Sequence, residues 1–290
     1  MKIGAFEIDG PLPELADTQA IAILRPWIDA GNVGSLLLAW LEERTAARAL
    51  AALARPGRFF DFTRYRPMLY RAGEARRLVV PNTYVTCGQA KGRDFLFLHL
   101  LEPHALSEIF TDSVMELLER LHVTRYCLAG SMYDFVPHTR PLLVSGGAEG
   151  PLAAELAKLD VGSSDYEGPT TICYLVSQQA GAHDIETVTI IVHLPQYTQL
   201  EEDHMGALRL KEIIAAVYGF QIDAKSLEAA HRQREQITAS AAADPQLRDI
   251  IEKLEESFDA GLKERKAKEE ALSPEVEAFL REMEKRFRRE

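Results

Sequence analysis

The chain has 290 residues, 47% of them hydrophobic and 27% charged, and a formal charge of -11. That hydrophobic share can bury a large core and excludes disorder over most of the length. Read as a whole, an acidic chain without a basic cluster lacks the charge that displaces counterions from phosphate backbones, which excludes nucleic acid and anionic membrane surfaces as partners.

Met1 to Pro13 lacks an apolar core of signal-peptide length and carries Glu7 and Asp9. No stretch reaches the roughly 18 apolar residues that a membrane helix needs. Cys87, Cys127 and Cys173 are far apart and odd in number, and each sits in an apolar segment. They read as reduced thiols packed like small hydrophobes, so a cytoplasmic location is expected.

In chain order, Gln19–Leu24 is predicted as a strand, Arg25–Gly31 as a turn, and Asn32 to about Ala46 as a helix. Its Val33, Leu36, Leu37, Trp40 and Leu41 recur at helical spacing. Phe59–Cys87, rich in aromatic and β-branched residues with a turn at Gly73, reads as antiparallel strands. Phe95–Leu101 is an apolar run that fits a central strand covered on both faces. Ser107 is read as the cap of a helix with Phe110, Val114, Leu117, Leu118 and Leu121 on one side. Val123–Ala129 is the next buried strand, Gly130–Arg140 a loop, and Leu142–Ser145 a short strand. Helices follow near Leu152–Leu159 and from about Pro169–Thr170. Thr187–Leu194 is another strand, and Leu210, Ile213, Ile214 and Val217 mark the helix after it. This alternation implies an α/β fold with a mixed, mainly parallel sheet between helices.

From Asp223 onward no strand is predicted. Residues 236–290 hold 11 Lys/Arg and 14 Asp/Glu, yet Leu247, Ile250, Ile251, Leu254, Phe258 and Leu262 form an apolar stripe, so a helical tail is expected rather than disorder. A second helix starts at Ser273-Pro274-Glu275, with Val276, Phe279, Leu280, Met283 and Phe287 on one face. The expected division is an α/β domain over 1–235 and a charged tail over 236–290.

Ligands of parallel sheets bind where strands run into helices, and polar residues gather at those points here. Gly31 and Gly34 flank a helix start suited to an anion, but neither G-x-G-x-x-G nor a Walker loop is complete, which favours a tight turn. The 131–141 loop holds His138 for proton transfer, Arg140 for a carboxylate or phosphate, and Asp134 to orient either. The competing reading is a rigid loop in which Arg140 pairs with Asp134 or Glu167. Ser131 lacks the G-x-S-x-G context of a nucleophile elbow. Glu102, His104, Asp134, His138 and His193 show no metal-binding spacing. Glu167-Gly168-Pro169-Thr170-Thr171 reads as a loop ending in a helix cap.

Several segments together resemble the proteasome assembly chaperone 2 family in its bacterial branch. They are Asp29-Ala30-Gly31-Asn32-Val33-Gly34, Phe60-Asp61 with Arg66-Pro67, and Leu101-Glu102-Pro103. The longest is Ser131-Met132-Tyr133-Asp134-Phe135-Val136-Pro137-His138-Thr139-Arg140-Pro141. Tyr166-Glu167-Gly168-Pro169-Thr170 and His193-Leu194-Pro195-Gln196-Tyr197 complete a series covering roughly residues 15–235. The resemblance implies a three-layer α/β/α sandwich similar to purine nucleoside phosphorylase-like folds, and homo-oligomers. Eukaryotic relatives escort proteasome α subunits, archaeal relatives are assembly factors, and bacterial members have no settled activity. Docking members often end in a hydrophobic residue, a tyrosine and one more residue. This chain ends Phe287-Arg288-Arg289-Glu290, so docking by that route is not implied.

The function expected is therefore a non-catalytic oligomeric scaffold or assembly-chaperone-like protein, without metal or cofactor, whose partners are itself and another protein assembly. The alternative is a binder or enzyme for a nucleoside, phosphate or carboxylate, using a cleft formed by Asn32, Glu102, Asp134, His138, Arg140, Glu167 and His193.

Overall fold

The computed structural model describes residues 1–262 apart from Glu74 and Asp165. The chain opens with the small hairpin β1 (Lys2–Ile3) and β2 (Phe6–Ile8), then β3 (Thr18–Arg25), α1 (Val33–Arg44) and β4 (Arg48–Leu53). β5 (Met68–Ala72) and β6 (Ala75–Val79) form a two-stranded sheet of their own, and β7 (Tyr84–Ala90) and β8 (Arg93–Leu101) pair antiparallel. Next come α2 (Ser107–Arg120), β9 (Val123–Asp134), β10 (Val144–Ala148), α3 (Pro151–Lys158) and β11 (Val161–Gly162). α4 (Ile172–Ala182), β12 (Glu186–Pro195), α5 (His204–Tyr218), α6 (Ala224–Ala243) and α7 (245–262) complete the described chain.

The main sheet runs β1-β2-β4-β7-β8-β3-β9-β12-β10-β11. Its centre, β8-β3-β9-β12, is parallel, while the β2-β4-β7 side and the β10–β12 pair are antiparallel. Alternation along the central strands supplies two cores. Ala20, Ala22 and Leu24 join Leu96, Leu98 and Leu100 on one face, which α2 and α4 cover with Phe110, Val114, Leu117 and Val176. Ile21 and Ile23 join Phe95 and Phe97 on the other, under Leu37 and Leu41 of α1 and Leu210 and Ile214 of α5. The result is the expected three-layer α/β/α sandwich with a mixed sheet. The three cysteines are free and buried, and apolar burial pushes the Cys127 thiol up to about 12.

Several local expectations need correction. Ser107 is the first helical residue of α2; Leu106, with φ 56°, holds the cap position. β9 continues through Asp134, because Ser131 bridges Asp29 and residues up to Asp134 pair with β12 as far as Pro195. Residues 130–134 are therefore strand, not loop. No strand is expected over Arg48–Leu53 from the sequence, yet β4 is held there in the sheet by β2 and β7. β5 and β6 also carry Arg71, Arg76 and Arg77, with Arg71 opposite Arg76, so the acidic chain does carry a local basic cluster.

α6 crosses position 235 and packs on α5. Its start is fastened by Asp223, whose carboxylate accepts the Ser226 N–H (2.8 Å), Trp40 Nε1–H (2.7 Å) and Arg44 Nη2–H (2.6 Å). Partial burial opposes ionisation of Asp223, but these donors outweigh it and hold the carboxyl down at about 2. On α7, Ile251 and Phe258 are buried while Ile250 is exposed; the stripe from Val276 to Phe287 and the start at Ser273 lie outside the described residues. Asp223→Ala removes the cap and should cost about 1 kcal/mol. Thermal denaturation should show the midpoint falling by roughly 2–4 °C, whereas an unchanged midpoint would mean that α6 is held by other contacts.

Candidate functional site

The parallel centre brings the carboxyl ends of β3, β8, β9 and β12 to one margin. Residues 195–203 run along part of it and bond to the turns after β3 and β9. The Tyr197 hydroxyl accepts the His138 backbone N–H at 2.7 Å and lies 2.6 Å from His138 Nδ1. Asn32 Nδ2 donates to the Glu201 carbonyl at 2.8 Å, and the Asp203 N–H donates to the Gly31 carbonyl at 2.8 Å. The Asn32 turn and the His138 loop therefore share one margin.

The start of α1 already holds an anion of its own. The Asp29 carboxylate accepts the Ser35 N–H at 3.1 Å and the Ser35 hydroxyl at 2.5 Å, and burial raises its pKa despite these donors. Gly34 lets the helix approach β3, since a Cβ there would lie 2.9 Å from Ile23 Cγ2. These two glycines serve the turn and the packing.

Glu102 at the end of β8 accepts the Ile172 N–H at 3.2 Å and caps α4 from a distant strand. Its carboxyl pKa is raised by burial, with the Ile172 N–H opposing. Thr171, the expected local cap, makes no side-chain capping bond. Glu167 is exposed in the loop leading to α4.

His138 and Arg140 face the helical tail. His138 is 1% exposed, with Nε2 3.2 Å from the Thr238 hydroxyl on α6. Burial lowers its pKa, Arg234 lowers it further, and Glu255 opposes them. Arg140 forks onto Asp259 of α7 at 3.0 and 2.9 Å and reaches Glu255 at 3.3 Å. Thr139 also donates to Glu255. Arg140 pairs with α7, not with Asp134 or Glu167 as the sequence suggested.

Asp134 and His193 meet directly. His193 Nδ1 lies 2.7 Å from Asp134 Oδ2, and His193 Nε2 lies 2.7 Å from Ser145 Oγ. Ser145 is the member that sequence reasoning missed. Its place beside His193 depends on the β10–β12 register, Ser145 opposite Ile191, which no local spacing encodes. The only sequence hint is a serine followed by two glycines on a short strand.

Two clefts lie away from this margin. One of about 380 Å³ is lined by Thr45, Cys87, Gln89 and Asp94 near the amino end of β8, and one of about 610 Å³ lies along β2, β4 and β7. Among the described residues no group of three or more His, Cys, Asp or Glu is placed to hold a metal, and no helix is long and apolar enough to cross a membrane.

The model of the PAC2 family matches residues 23–242, three quarters of the chain. The chain belongs to the PAC2 family. A search of curated proteins finds no match. Among solved structures, this PAC2 protein resembles Rv2714, a protein of unknown function from Mycobacterium tuberculosis. The TM-score is 0.77 and the identity 25%, covering 90% of this chain and 92% of that one. It also resembles Rv2125 from the same organism, described as a proteasome-assembly chaperone homologue, with TM-score 0.70, 23% identity, and 80% and 99% of the two chains covered. PbaB of Pyrococcus furiosus, described as an archaeal proteasome activator, aligns with TM-score 0.63, 14% identity, and 83% and 100% coverage. The last two likenesses establish a shared fold.

The clamp between Arg140 and α7 in this PAC2 protein is half-exposed, so solvent screens it. Arg140→Ala should open α7 more often, and limited proteolysis should cut within 245–262 correspondingly faster. Cleavage at the wild-type rate would show that Ile251 and Phe258 hold the helix alone.

Proposed function

We propose that this PAC2 protein is a cytoplasmic, homo-oligomeric scaffold of assembly-chaperone type. The observation that carries this reading is the β5–β6 hairpin. Met68, Leu69, Tyr70, Leu78 and Val79 on it are 39–62% exposed, and its two strands pair with each other rather than with the main sheet. An isolated hairpin with apolar residues turned to water is marginal by itself and gains from a covering surface. A second copy of this chain suits that role, since the hairpin is rich in arginine while the whole chain carries -11. The hairpin also departs from the sheet beside the end of β8, where Tyr65 donates to the Glu102 carbonyl and Thr83 accepts the Leu101 N–H.

The exposed Trp27 and Phe135, 68% and 75% accessible, stand at the same margin and enlarge the surface for a further protein. The names of Rv2125 and PbaB support a larger protein assembly as that client. We also propose that the sandwich is of the purine nucleoside phosphorylase-like type that the family resemblance implies.

Light scattering at micromolar concentration should give a mass of two or more chains of 32.4 kDa each. Paired Leu69→Glu and Leu78→Glu substitutions should reduce the mass to one chain while circular dichroism stays unchanged. A wild-type monomer at that concentration would overturn the proposal.

A further inference from the structure

We propose that Asp134, His193 and Ser145 form an acyl-transfer site for esters of apolar carboxylic acids. The scaffold reading makes no use of these groups. They come from three neighbouring strands, β9, β12 and β10. Ser145 lies opposite Ile191, two residues before His193, so Ser145 and His193 project from the same face of the sheet. Asp134 ends β9 opposite Pro195.

The two contacts of 2.7 Å are the ones that a nucleophile, its base and an orienting carboxylate require. In the tautomer this reaction requires, Nδ1–H donates to Asp134 and the Nε2 lone pair faces the Ser145 hydroxyl. Gly146 permits the close approach of β10 to β12: a Cβ there would sit 1.9 Å from the Thr189 carbonyl oxygen. β11 ends at Gly162, opposite Ser145. Among the described residues, Gly146 to Ala148 therefore have no strand on their outer side, which leaves that edge of β10 open next to Ser145.

Access and substrate class follow from the surroundings. The side chains of His193 and Asp134 are 16% and 35% exposed, so a small ester reaches them from solvent. Phe135, adjacent to Asp134 in the chain, is 75% exposed and offers an apolar rest for the acyl group.

In the reaction, Ser145 Oγ bonds to the acyl carbon as its proton passes to His193 Nε2. The bond from that carbon to the leaving oxygen then breaks, and Nε2 returns the proton to the departing alcohol. Water attacks the acyl-serine, giving a proton to Nε2, and the carboxylic acid departs as Oγ regains its proton. Water is the sole co-reactant. Asp134 is a positioning residue that keeps the imidazole in the useful tautomer.

The test uses the full chain with a fluorophosphonate probe, followed by digestion and mass spectrometry, and p-nitrophenyl butyrate as the ester. Label is expected on Ser145, with ester hydrolysis abolished by Ser145→Ala and slowed about 100-fold or more by His193→Ala. Asp134→Asn should move the pH profile of labelling to lower pH, because loss of the carboxylate makes the imidazole less basic, a change that mere loss of packing would not produce. An unlabelled wild-type protein, label on another residue, or wild-type hydrolysis by Ser145→Ala would overturn the proposal. Should Ser145→Ala fail to fold, the labelling site in the wild type decides alone. The light-scattering mass of each sample separates this outcome from the oligomer reading, since either can fail without the other.

Discussion

The parallel register of β8, β3, β9 and β12 is the constraint on which the rest of the molecule depends. β8, β3 and β9 are buried on both faces for most of their length and β12 chiefly on one, and all four enter the sheet from the same end. Their carboxyl ends then have no choice but to meet along one margin. The segment 195–203 stitches that margin together through Tyr197, Glu201 and Asp203. Glu102 and Asp29 satisfy the helix starts that open onto it.

Much of this architecture was legible in the sequence because long apolar runs fix buried strands. Gln19–Leu24, Phe95–Leu101, Val123–Ala129 and Thr187–Leu194 all lie inside observed strands. The misses have a common cause, which is that distant partners decide local structure. Arg48–Leu53 is alanine-rich, yet pairing on both sides makes it a strand. Asp134 looked like a loop residue, but its neighbour β12 extends the ladder to it. The loop from Glu167 to Thr171 looked as if it ended in its own cap, while Glu102, 70 residues before Ile172, does the capping.

The same logic governs the site residues. Asp134 and His193 stand out in the sequence as polar groups at strand ends, whereas Ser145 joins them through register alone. His138 and Arg140 also stand out, but their partners lie on α6 and α7, about 100 residues or more away in sequence. One polar loop thus holds the helical tail, and the strand that feeds it orients a histidine. The margin combines an anchored tail, a row of hydrogen-bonded titratable groups, and the hairpin that leaves the sheet near β8.

Hydrogen exchange followed by mass spectrometry over a range of protein concentrations tests the central claim most directly, because it reads the parallel centre and the hairpin in one experiment. The account predicts slowest exchange in β8, β3, β9 and β12 at every concentration, with protection of Met68–Val79 rising as concentration rises. Hairpin exchange that ignores concentration, or central strands that open before the sheet's edges, would contradict it.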